Sequence, residues 1–99
     1  MDLSDDPVVR ELRARITEND RAILEAVNRR VELVSELKAH KLARGYDLVD
    51  RSREDWLVDH LAAANHGPLS EAGLRELAMT LIALTKREVA IEGGRGERG

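Results

Sequence analysis

The chain has 99 residues, no cysteine, no phenylalanine, one tryptophan, one tyrosine and a formal net charge of -3. That length holds one domain, the lack of cysteine excludes disulfides and thiol chemistry, and the acidic balance excludes a general nucleic-acid binder, whose phosphate contacts need a basic surface. No apolar run is long enough to span a membrane and the acidic start "MDLSDDP" is unlike a secretory signal, so a cytoplasmic protein bound to neither membrane nor nucleic acid is expected.

In chain order, Asp6 is placed to cap a helix and Pro7 suits its first turn, and neither Gly nor Pro recurs before Gly45. One helix is predicted across this whole span. Ile16, Ile23, Val27, Val34 and Leu37 return at helical spacing, and Leu12, Leu24 and Val31 widen the stripe. Such a helix runs to about 57 Å at 1.5 Å per residue, more than a globule of this size is wide, so its apolar face calls for a second copy. A chain poor in large aromatics also gains stability by such pairing.

After a loop from Gly45 to about Asp50, a shorter helix is predicted to begin near Ser52, with Asp55 three residues on in the manner of a capping box, and to end before "NHGP". Ser70 can cap a third helix, whose apolar face would be Leu74, Leu77, Leu81 and Leu84, ending near Ile91. The expected architecture is all-α: one long and two shorter helices per protomer in an intertwined homodimer. The helical domain would cover 1–92, and the glycine-rich 93–99 would be a flexible tail.

Charges of both signs gather at the first break. Arg30 and Lys41 are eleven positions apart, almost three turns, so both lean to one side of the helix with backbones about 16 Å apart, within joint reach of a small anion. If the chain folds back after Gly45, Asp50, Arg53 and Glu54 return to the same space. Arg13 stands about 25 Å before Arg30 and reaches such a site only from an antiparallel partner. The plainer reading is a solvated helix face with acids placed to cap a helix N-terminus. His40, His60 and His66 lack metal-ligand spacing and are expected at the surface. Trp56 is expected to pack between helices, and Tyr46 to sit in a loop.

Taken together, "LRARITENDRAILEAVNRR" with Arg13 and Arg30, "ELKAHK" ending at Lys41, and "DRSRE" from Asp50 to Glu54 resemble the all-helical chorismate mutases. The likeness runs from about Val9 to Ala90. It implies an isomerase of aromatic amino acid biosynthesis in the shikimate pathway, converting chorismate to prephenate without a cofactor or metal, in a homodimer with shared active sites. By position, Arg13 of one subunit and Arg30 of the other would hold carboxylates. Lys41 would contact a carboxylate and the ether oxygen, Asp50 and Glu54 would address the ring hydroxyl, and Arg53 would organise the pocket. Thr85 falls where relatives often carry a carboxylate-binding serine.

The departure lies in the last helix. Aligning "LAMTLIALTKREVA" by its apolar residues puts Val89 where many members have a glutamine that donates to the ether oxygen; a shift of one residue brings in Glu88, which donates only when protonated. A valine there implies a slow isolated enzyme, similar to members activated by complex formation with the enzyme that opens the shikimate pathway. The same scaffold also serves isochorismate pyruvate-lyases and 4-amino-4-deoxychorismate mutases, and a non-catalytic helical dimer that regulates another protein fits the missing glutamine.

Overall fold

The computed structural model describes residues 2–91. It contains a short 3-10 turn at Leu3–Asp5 and then three helices: α1 (Pro7–Arg44), α2 (Arg51–Ala64) and α3 (Glu71–Arg98), whose described part ends at Ile91. No strand occurs among the described residues, and the class is all-α as expected. The expected flexible tail, 93–99, lies outside the described residues. No helix is long and apolar enough to cross a membrane among those residues.

The start of α1 follows from two residues. The Asp6 carboxylate accepts from the backbone N–H groups of Val8 (2.9 Å) and Val9 (3.4 Å), satisfying donors that have no partner inside the helix. Pro7 has no N–H to satisfy and its φ is already helical. The end is a glycine cap. Gly45 has φ +71°, Tyr46 N–H donates to the Lys41 carbonyl (2.9 Å), and Gly45 N–H donates to the Leu42 carbonyl (3.3 Å). A Cβ at Gly45 would meet nothing within 4 Å, so a substitution there costs backbone strain alone. Gly45→Ala is therefore expected to lower stability by about 1–2 kcal/mol, read as a fall in the urea midpoint with an unchanged slope.

The backbone contacts divide the chain into two units, Met1–Arg30 and Val31–Gly99. In the first, Leu12, Ile16, Ile23 and Leu24 are between 48 % and 61 % exposed, and no residue of α1 is buried. In the second, α2 packs on α3. The buried stripe of α3 is Leu74, Ala78, Thr85 and Val89, spaced by four, seven and four residues, which is one helical face. This corrects the expected face: Leu77 is exposed, and Leu81 and Leu84 are half-buried. The small Ala78 and the polar Thr85 carry little weight in a hydrophobic pattern, yet they are the most deeply buried side chains among the described residues of the unit.

The cap of α2 is also corrected, by two residues. Asp50, not Ser52, is the N-cap, with its carboxylate accepting from Arg53 N–H (3.0 Å) and from the Ser52 hydroxyl (2.8 Å). A carboxylate accepts more strongly than a hydroxyl, and Ser52 serves as its donor. α2 ends at Ala64, before "NHGP", as expected. Ser70 Oγ accepts from Gly73 N–H (3.0 Å) and opens α3, also as expected. Trp56 does not pack between helices. It is half-exposed, stacked on His60 (4.5 Å between ring centres, 11° between planes) with the Arg53 guanidinium 4.3 Å over its ring.

Candidate active site

Steps of three and four residues return to the same side of a helix, so the last turns of α1 bring Val34, Leu37, Lys38 and Lys41 onto one face. That face, Leu48 and Val49 of the following loop, and Lys86 and Val89 of α3 line a cleft of about 270 Å³. Five of its lining residues are aliphatic and the other three are lysines. Lys41 Nζ donates to the Leu48 carbonyl at 3.4 Å, a long bond that tethers the cation to the loop while leaving it open to a better acceptor.

α2 and α3 border a second, larger and open hollow of about 640 Å³, lined in part by Glu54, Asp59, Arg75 and Met79. Glu54 forms an ion pair with Lys86, and its side chain is only 26 % exposed. Lys86 borders both hollows and so joins Glu54 to the space in front of Lys41.

The expected site residues are distributed as follows. Lys41 and Val89 share the smaller cleft, and Glu54 is linked to it through Lys86. Val89 is 4 % exposed and Glu88 is exposed. Thr85, 1 % exposed, donates its hydroxyl to the Leu81 carbonyl at 2.6 Å, within its own helix. Arg53 lies over Trp56 and Asp50 caps α2; neither is among the residues that line either hollow. Arg13 and Arg30 belong to the first unit, and burial pushes the Arg30 guanidinium below its ordinary value, from which it stays charged at neutral pH.

Sequence reasoning passed over Lys38 and Lys86. The signal for Lys86 was available: it precedes Val89 by three residues and therefore shares its side of α3. Lys38 precedes Lys41 by the same step. The aliphatic loop wall, Leu48 and Val49, had no pattern to announce it, because loop residues acquire a facing only when the chain turns.

The Ser52 hydroxyl, followed by the Arg53 backbone N–H and the positive charge of Lys41, holds the Asp50 carboxyl below the usual carboxylate range. The folded form thus binds this proton less readily than the unfolded form. Its stabilisation is complete above the unfolded carboxylate value, about pH 4, and is lost as pH falls through the lower folded value. The melting temperature of the native chain should exceed that of Asp50→Ala at pH 6, and the gap should narrow steadily in scans taken below about pH 4.

No curated protein and no solved structure matches the chain. A family model described as chorismate mutase type II does match, over residues 12–89. That span takes in most of the 99 residues, from the first turns of α1 through Val89 of α3, and the all-α fold agrees with it: the chain belongs to the chorismate mutase type II family.

Proposed function

We propose that the chain is a chorismate mutase that acts as a homodimer with shared active sites, rearranging chorismate to prephenate in the cleft that holds Lys41. The observation that carries this reading is a fixed ammonium against aliphatic walls, in a chain of the chorismate mutase type II family. In the reaction a carbon–carbon bond forms as the ether carbon–oxygen bond breaks, within one molecule and with no covalent enzyme intermediate. The catalyst's work is therefore conformational and electrostatic. Holding the flexible dianion in a compact chair removes an entropic part of the barrier. As the ether bond breaks, its oxygen gains negative charge, and the Lys41 ammonium stabilises that state more than the ground state.

On the family's pattern along the sequence, Asp50 and Glu54 address the ring hydroxyl and Arg53 organises the pocket. Arg30 and the partner subunit's arginine at position 13 hold carboxylates; these assignments rest on the family's pattern along the sequence. Pairing is supported by the exposed stripe of the first unit. Completing the burial of Leu12, Ile16, Ile23 and Leu24 is worth roughly 3–6 kcal/mol.

The direct test mixes purified protein with chorismate and follows the loss of its absorbance and the appearance of prephenate. Isochorismate and 4-amino-4-deoxychorismate are offered in parallel, and size exclusion is run on the same sample. Turnover of chorismate alone supports the proposal; preference for either other substrate replaces it with the corresponding lyase or mutase. Repeating the assay with the enzyme that opens the shikimate pathway checks for an activating complex. Val89→Gln, which adds a donor to the cleft wall, should raise kcat about tenfold or more, whereas Glu88→Gln should leave both rate and pH profile unchanged. A larger effect of Glu88→Gln would place the glutamate at the ether oxygen instead.

A further inference from the structure

We propose that Lys86 is a substrate-binding residue of this site, presenting from α3 an ammonium that takes one carboxylate of the dianion; the proposal rests on the mutase reading. Three observations converge on it. Lys86 lines the same cleft as Lys41 and Val89. It is ion-paired to Glu54, the acid assigned to the ring hydroxyl, so the two groups are held as a unit between the hollows. Its neighbour Thr85, which holds the position of the family's carboxylate-binding serine, is buried with its hydroxyl proton directed to the Leu81 carbonyl. The carboxylate therefore needs another donor on α3, and Lys86 is the cation of that helix that the cleft offers.

Donor capacity and charge are both sufficient. An ammonium carries three N–H donors, so pairing with Glu54 leaves others for a carboxylate. Around the cleft stand Lys38, Lys41 and Lys86; the Glu54 carboxylate pairs with Lys86 and the Asp50 carboxylate lies in the field of Lys41, so three cations against two acids leave a net positive charge to meet a dianion. In a chain whose formal net charge is -3, such a local excess favours a small anion over a nucleic acid or an acidic protein surface. The Lys86 side chain is 53 % exposed, so its replacement opens no cavity.

The experiment compares the native chain with Lys86→Met and Lys86→Arg. Steady-state turnover of chorismate is measured alongside calorimetric titration with chorismate, helical circular dichroism and size exclusion. Lys86→Met is expected to lower kcat/KM by tenfold or more, mainly through a raised KM, and to weaken chorismate binding by a similar factor with the dichroism and assembly unchanged. Lys86→Arg, which keeps the charge and can still pair with Glu54, should stay within about threefold of the native chain. If the pair only fastens α2 to α3, Lys86→Met lowers the melting temperature and leaves KM and the dissociation constant alone, which overturns the proposal. If the native chain binds chorismate in a Lys86-dependent way but does not turn it over, the mutase reading fails and the binding role stands. No binding by the native chain overturns both.

Discussion

Lys41→Ala is expected to reduce the turnover of chorismate by about 100- to 1,000-fold, the loss typical when one preorganised donor to a developing oxyanion is removed. The size follows from where the ammonium stands. It stands on the last turn of α1 beside a cleft lined by Val34, Leu37, Leu48, Val49 and Val89, where a bound substrate would displace water and so strengthen its interaction with the charge. The fold should hardly notice. Alanine is the best helix former, and the bond lost from Lys41 Nζ to the Leu48 carbonyl is long and exposed. Circular dichroism and size exclusion should match the native chain while the absorbance assay shows the collapse in rate. Lys41→Gln, which keeps a donor and discards the charge, should fall between the two. A Lys41→Ala variant within a few fold of native turnover would remove the role assigned to Lys41, whereas a native chain that turns over nothing would favour a helical dimer that binds and regulates another protein.

Mixing two inactive variants should restore activity. Arg13→Ala and Lys41→Ala are each expected to be strongly impaired alone, because every site in either homodimer lacks one essential cation. Random re-pairing makes half of all dimers mixed, and a two-fold shared arrangement gives each mixed dimer one site with both cations intact and one with neither. Co-refolded at equal concentrations, the pair should therefore recover about a quarter of the native activity. Sites contained within single chains would give no recovery at all. In the proposed homodimer the driving force for the mixing would be the apolar face of the first unit, where large aliphatic side chains remain about half in water. Placing a charge there, as in Ile16→Glu or Ile23→Asp, should shift the size-exclusion peak to the monomer and abolish turnover with it.

Much of the helical plan can be read from local chemistry. Asp6 and Pro7 open α1, Gly45 closes it, and Ser70 opens α3, since caps and left-handed turns are decided by one or two residues and their own backbone. The error at α2 is of the same local kind. Both Asp50 and Ser52 are capping residues, and the choice between them turned on the stronger acceptor, with the serine reduced to a donor for it. Trp56 was placed between helices on the strength of its apolar area. In the fold it has a polar neighbour on the preceding turn and another on the following one, Arg53 and His60, and the three stack along the outside of α2.

The sequence by itself determined the all-α class, the limits of α1, and the order of cations and acids that resembles a mutase, because each depends on spacing along a helix or on a cap. Only the tertiary structure decided that Val89 rather than Glu88 turns inward, that Thr85 is buried against its own helix, and that Lys86 stands between Glu54 and the cleft of Lys41. Those facts depend on how α3 is rotated against α2 and the loop. Rotation is chosen by close packing around small residues such as Ala78, which leave almost no mark on a hydrophobic pattern.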